Sequence, residues 1–215
     1  MWCISEINEE YRQRMYDILN LYARAHDAAE PVICVDEKSK QLLDNKRSDI
    51  PGKIRKQDYE YERKGTQNIF VAVEPLAGKR VVKVTDRRKK EDFAIFIKEL
   101  KEQHYAKAHK IHIVLDNLNT HFRKSFVDSF GEEQAEKLLK NIEFHYTPKH
   151  ASWLNMAEIE IGVMDRQCLD RRIPTKEKMI SELNIWQKQR NDQNAKIKWN
   201  FSCQDADTKI GKYYV

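Results

Sequence analysis

The stretch that most constrains the fold of this chain is residues 110–117, which read KIHIVLDN. It is short, mostly apolar and rich in β-branched residues, and it reaches Asp116 just before a run of turn-forming residues. This pattern is typical of a buried β-strand that delivers an acid to its carboxyl end. In open α/β sheets, ligands bind just beyond the carboxyl ends of the strands. The stretch therefore predicts an α/β fold with a functional carboxylate at Asp116.

A second apolar run, at 32–35, ends in the same way on Asp36 and Glu37. Successive side chains of a strand point to opposite faces, so only one of these two acids can join Asp116. The whole chain reads as the element order β β β α β α β α α, with a hairpin between the second and third strands. We therefore predict an α/β fold with a five-stranded mixed sheet flanked by helices.

A late helix, predicted at 153–169, is apolar nearly all round but carries Glu158 and Glu160. Both acids have apolar neighbours at helical spacing, so periodicity does not choose between them. Carboxylates that share one pocket repel, and one of them takes up a proton unless a cation compensates. Mg²⁺ prefers oxygen ligands, and a pair of such ions about 4 Å apart suits phosphodiester chemistry. The acids therefore predict a divalent-metal site, although a strand-end Asp taken alone is more often a turn or helix cap.

The distribution of charge favours a nucleic-acid partner more than the net charge of +5 does. Basic residues crowd the segment after the first acidic strand, and a second basic block occupies 87–90. A solvated protein face explains such runs about equally well. The four cysteines are scattered without a CxxC pair, which favours reduced thiols in a cytosolic setting. Neither a secretion signal nor a membrane span is expected.

Three ordered motifs resemble the catalytic half of DDE transposases. They are CVDEKS at 34–39, IVLDNLNTH at 113–121 and YTPKHASWLNMAEIE at 146–160. The pattern is similar to that of the bacterial insertion-sequence group typified by the six-thirty element, which is related to the Tc and mariner transposases. The resemblance covers nearly the whole chain, and it implies an RNase H-like fold.

The resemblance also implies roles for individual residues. Asp36, Asp116 and Glu158 would be the catalytic residues and the metal ligands, and Glu37 and Glu160 would be supporting or structural acids.

Further residues of the motifs would support the site or contact DNA. Asn117 would support the active site, and His121 would either do the same or be an ordinary structural histidine. The residues expected to contact DNA are Lys38, Lys40, Arg47, Lys53, Arg55, Arg87, Arg88, His150 and Trp153.

The cofactors and partners implied by the resemblance are two Mg²⁺ or Mn²⁺ ions and double-stranded DNA, bound by a homodimer. The DNA would be the terminal inverted repeats of a transposon and its target. The reaction would be cleavage at the transposon ends followed by strand transfer. Two alternatives remain open, namely a catalytically silent transposase that only binds DNA or dimerises, and an RNase H-type nuclease.

The chain is expected to divide into a linker helix at 1–30, a catalytic domain at 31–195 and a tail with a short helix at 196–215. Within the catalytic domain, residues 39–66 lack clear periodicity and are predicted to form a basic, clamp-like loop. The helix-turn-helix half of the family precedes its catalytic half. We therefore expect this chain to be a catalytic fragment or a shortened product.

Overall fold

A computed structural model describes residues 7–47, 59–116 and 123–214 of the chain. Its strands form a single sheet and are β1 Val32–Asn45, β2 Tyr61–Glu74, β3 Lys79–Thr85, β4 Ile111–Leu115 and β5 Ile142–Tyr146. The strand order is β3–β2–β1–β4–β5. The first three strands pair antiparallel, whereas β4 pairs parallel with both β1 and β5. The prediction of a five-stranded mixed sheet is therefore confirmed.

Helices cover both faces of the sheet. They are α1 Glu9–Tyr22, α2 Lys90–Glu99, α3 Arg123–Phe130, α4 Glu132–Leu139, α5 Met156–Met164, α6 Lys176–Asp192 and α7 Cys203–Ile210. Ile33 and Val35 of β1 are buried with residues of α2, α3 and α4. Cys34, which points the other way, is buried with residues of α1, α5 and α7. Among the helices that the structure describes, none combines the length and the apolar character needed to cross a bilayer.

The segment 39–66, predicted above to be a loop, begins and ends in a two-stranded ribbon. β1 continues to Asn45 and β2 begins at Tyr61, so the two strands pair well beyond the end of β3. Leu42 is buried and belongs to a core cluster with residues of α5 and α6. Most other side chains of the ribbon are polar, which removes the alternation by which a strand is recognised in a sequence. Residues 48–58 of the segment lie outside the described residues.

The helix at the N-terminus packs directly on the sheet. Met15 and Ile18 of α1 are fully buried, and they belong to the same core cluster as Cys34 and Val114 of the two central strands. This packing makes α1 a structural part of the sheet's second face. The division of the chain into three segments stays a prediction.

A buried ion cluster joins α5 to α6 and β3. Glu160 of α5 is fully buried; its Oε1 lies 3.0 Å from Arg80 Nε and its Oε2 lies 3.0 Å from Arg190 Nη2. Arg80, itself buried, also donates to the backbone oxygens of Gly78 and Ala195. Buried charges are tolerated only when they are paired and hydrogen-bonded in this way. The cluster therefore holds α5 in a defined position over the sheet.

Substituting Glu160→Gln is expected to destabilise the protein by about 3–5 kcal/mol, because it leaves two guanidinium groups without their counter-charge. Urea unfolding followed by circular dichroism measures the loss. Glu158→Gln is the matched control, since Glu158 lies on the same helix but is exposed. The control should lose no more than about 0.5 kcal/mol. Equal losses in the two variants would show that the ion cluster does not stabilise the fold.

Candidate active site

Two of the predicted site acids lie on adjacent parallel strands: Asp116 directly follows β4, whereas Asp36 lies within β1, which continues past it to Asn45 instead of ending there. Cys34 of β1 pairs with Val114 of β4, and Asp36 and Asp116 each stand two residues further along their strands. Side chains alternate along a strand, so both acids project from the same face as this pair. Neighbouring strands run about 4.8 Å apart, and the charge of Asp116 acts directly on Asp36. The strand order therefore brings the two acids into one region.

The third acid comes from the first turn of α5, which Asn155 connects to β1. The side chain of Asn155 caps the helix by accepting from the Ala157 N–H at 3.1 Å. Its Nδ2 donates to the Val35 backbone oxygen at 2.9 Å, directly before Asp36. The Glu158 N–H in turn donates to the backbone oxygen of Asn155 at 3.1 Å. Asn155 thus positions Glu158 relative to Asp36, a role that sequence reasoning missed because the residue was seen only as part of a motif.

The electrostatics of Asp36 show that the three acids interact. Burial raises the pKa of Asp36 to about 7, against an opposing hydrogen bond of 2.8 Å from the Glu37 N–H. Repulsion from Asp116, Glu37 and Glu158 adds to the increase. A buried acid whose charged form is unfavourable, with other carboxylates close by, is well suited to a hard divalent cation with oxygen ligands. The donor set therefore fits Mg²⁺ or Mn²⁺.

The surroundings of Glu158 and Glu160 differ in a way that helical periodicity does not show. Glu160 is held inside the fold by Arg80 and Arg190. Glu158 is exposed, and its charge acts on Asp36. Of the two acids, Glu158 is therefore the one that can share a cation with the strand acids.

The lysines expected to contact DNA have partners within the protein. Lys38 Nζ lies 2.5 Å from Asp165 Oδ2, and Lys40 Nζ donates to the Leu169 backbone oxygen at 2.7 Å. Both contacts go to the turn that follows α5. Lys38 and Lys40 thus link the middle of β1 to the end of that helix, and their contact with DNA stays a prediction.

The other expected DNA contacts that the structure describes have more varied surroundings. Arg47, Arg87, Arg88 and His150 are exposed, and His150 has a positive φ of 64°. Trp153 is partly buried, and its ring stacks on Trp199 at 6.3 Å and meets Phe201 edge-on at 5.5 Å between ring centroids. The residues Asn117, His121, Lys53 and Arg55 lie outside the described residues.

The raised pKa of Asp36 predicts that this acid destabilises the metal-free protein. Between about pH 4 and pH 7 the carboxyl is protonated in the folded chain and ionised in the unfolded chain. Stability is therefore lost as the pH rises through this window, whereas Asn does not titrate. After EDTA treatment, Asp36→Asn should be more stable than the unchanged protein above pH 7, by up to about 4 kcal/mol at about 1.4 kcal/mol per pKa unit. Thermal unfolding from pH 4 to 8 measures the difference, which should vanish near pH 4.

Two controls accompany this measurement. Asp170→Asn changes an exposed acid outside the site and should show no gain that depends on pH. Addition of Mg²⁺ should reduce the advantage of Asp36→Asn, because the cation then compensates the acids of the unchanged protein. A difference that stays constant with pH would contradict the assignment.

Asn155→Ala should cost about 2–4 kcal/mol, since it removes a helix cap and leaves the Val35 carbonyl without its donor. Asn155→Ser keeps a capping hydroxyl that is too short to reach Val35, and it should recover about 1 kcal/mol of this loss. Urea unfolding of both variants makes the comparison. Identical losses would mean that the cap contributes nothing.

Comparison with known proteins gives two consistent results. Residues 31–180 match a family model described as the DDE superfamily endonuclease. Crystal structures of the Mos1 mariner transposase are similar to the chain in fold. The paired-end complex with Mn has a TM-score of 0.59 and 16% identity, and the match covers 91% of this chain and 60% of that chain. The separate Mos1 catalytic domain has a TM-score of 0.57 and 12% identity, covering 90% of this chain and 96% of that domain.

At identities this low, the matches show similarity of fold alone. The structural similarity confirms the expected RNase H-like fold. The chain spans about 60% of the Mos1 chain in the Mn complex. No match was found among curated proteins. The family model, in contrast, covers more than half of the 215 residues. The protein therefore belongs to the DDE superfamily endonucleases.

Proposed function

We propose that this protein is the catalytic unit of a DDE transposase, which cleaves phosphodiester bonds at transposon ends and joins the freed ends to target DNA. The observation that carries the proposal is the electrostatic coupling of Asp36 to Asp116 and Glu158, which come from two adjacent strands and a helix. Family membership supports it. Similar structures include a Mos1 complex with the left transposon end and a strand transfer complex.

In this proposal, Asp36, Asp116 and Glu158 hold two divalent ions. When bound, Mg²⁺ or Mn²⁺ would make a water or hydroxyl nucleophilic and would stabilise the leaving oxygen. The chain itself keeps the carboxylates together through the β1–β4 pairing and the Asn155 cap. It also holds the pKa of Asp36 near 7, so ion binding would release a proton from this acid. Mos1 complexes with Mn and with Mg support the choice of metals.

The proposed DNA surface includes the basic residues that follow β3. Arg87 and Arg88 are exposed just after that strand, and Arg88 Nη1 lies 3.8 Å from Glu37 Oε1, one residue after Asp36. Exposed guanidinium groups bind phosphate oxygens well. In the proposal, Arg87 and Arg88 hold the DNA backbone through its phosphates. A homodimer on two transposon ends belongs to the proposal because the similar Mos1 structures are paired-end complexes.

Asp116→Asn and Glu158→Gln should each lower Mg²⁺-dependent nicking of a duplex that carries the terminal repeat by at least about 1,000-fold. The reason is that metal binding supplies several kcal/mol of transition-state stabilisation, at about 1.4 kcal/mol per tenfold in rate. Gel analysis of a labelled duplex measures the rate. Glu177→Gln, at an exposed acid on α6, is the control and should cut normally.

The outcome also separates the alternatives. Nicking by Asp116→Asn at the normal rate would overturn the proposed mechanism. A folded, unchanged protein that binds the duplex but never nicks it would favour the catalytically silent transposase. Cleavage of an RNA–DNA hybrid without any strand transfer would favour an RNase H-type nuclease.

A further inference from the structure

A second group of potential metal ligands lies on β4 and β5, away from the acids. His112 of β4 pairs with Glu143 of β5 in the parallel ladder, and His145 stands two residues further along, so all three point to one face. Each offers one ligand atom, and these atoms lie within 4.8 Å of one another. The two histidines are buried, whereas the Glu143 side chain is 43% exposed. The cluster is thus rigidly held and open to solvent on one side.

The distances within the cluster are those of a tetrahedral site. His112 Nδ1 lies 3.0 Å from His145 Nε2 and 3.3 Å from Glu143 Oε2. The third side of the triangle, from His145 Nε2 to Glu143 Oε2, is 3.9 Å. Ligand atoms about 2.0–2.2 Å from a tetrahedral Zn²⁺ stand roughly 3.4 Å apart. The three distances between ligand atoms in the cluster lie on either side of this value. A water molecule from the solvent side can take the fourth position.

One of the two imidazoles has a carboxylate at its second ring nitrogen. His145 Nδ1 lies 2.6 Å from Asp17 Oδ2 on α1. Glu30 Oε2 lies 3.8 Å from His112 Nε2, beyond hydrogen-bond distance. Histidines that bind metals are commonly oriented by a carboxylate in this position, which also makes the ring a stronger ligand. Asp17 in addition connects the cluster to the helix that covers this face.

Two cations compete with a metal ion for the cluster. Arg24 Nη1 lies 2.9 Å from His112 Nε2, and Lys110 Nζ lies 2.5 Å from Glu143 Oε2. Their side chains are 39% and 45% exposed, so both can turn into solvent. Burial, the neighbouring His145 and Arg24 lower the pKa of His112.

We propose that His112, Glu143 and His145 bind one divalent transition-metal ion such as Zn²⁺, which fastens α1 to the edge of the sheet through Asp17. Two imidazoles and a carboxylate suit Zn²⁺ and disfavour Mg²⁺, which prefers oxygen ligands. His112 precedes Asp116 by four residues on one strand, or about 13 Å. The zinc site is therefore separate from the acids and does not depend on the proposed function.

The test measures zinc binding by calorimetry on the full chain, treated with EDTA and carrying Asp36→Asn and Asp116→Asn to disable the acid site. This parent protein should bind one Zn²⁺ with a dissociation constant below about 1 µM. Adding Glu143→Gln should weaken binding at least tenfold, and adding Asp17→Asn should weaken it by roughly 10- to 100-fold. His109→Gln is the control, since His109 is exposed and outside the cluster, and it should bind as the parent does.

Thermal unfolding provides a second readout that does not depend on activity. At one fixed zinc concentration, Zn²⁺ should raise the melting temperature of the parent and of His109→Gln more than that of Glu143→Gln. The Glu143 side chain is partly exposed, so this variant tests the site without disturbing the buried histidines. No zinc binding by the parent, or equal binding by the parent and Glu143→Gln, would overturn the proposal. Loss of DNA cleavage would leave it unaffected.

Discussion

The parallel pairing of β1 with β4 determines where Asp36 and Asp116 lie relative to each other. It sets two carboxylates beside each other at the level where β4 ends, and there burial and repulsion between charges raise the pKa of Asp36 to about 7. Neither strand can shift by one residue without turning its apolar side chains out of the core. The register that buries Ile33 and Ile113 is thus the register that forces the acids together. The stability of the sheet thus keeps the two carboxylates together although their charges repel.

Helix α5 carries two acidic side chains within one turn, one buried and one exposed. Glu160 points into the protein, where two arginines neutralise it and fix the helix. Glu158 remains on the exposed side near the strand acids. The internal ion cluster makes the helix rigid, and the Asn155 cap sets its height relative to β1. The ion cluster and the Asn155 cap together position Glu158, and neither of them involves the Glu158 carboxylate.

Sequence patterns predicted the parts of this structure that depend on local order. An apolar run followed by an acid marked Asp36 and Asp116, and the element order predicted a mixed sheet. The choice between Glu158 and Glu160 depends instead on Arg80 and Arg190, which are distant in the chain and enter no local period. The ribbon formed by the far halves of β1 and β2 was mistaken for a loop because most of its side chains are polar. The histidine cluster becomes visible only when the register of β4 and β5 is known.

The ribbon also couples distant parts of the molecule. β1 is a continuous strand from Val32 to Asn45, so Asp36 near its base and the far end of the ribbon share one backbone. Extended backbone barely stretches, and the Leu43 N–H anchors the ribbon by donating to the Ile173 oxygen at 3.0 Å. Asp36 and the outer part of the ribbon are therefore segments of one strand, and the bond to Ile173 ties that strand to the chain between α5 and α6.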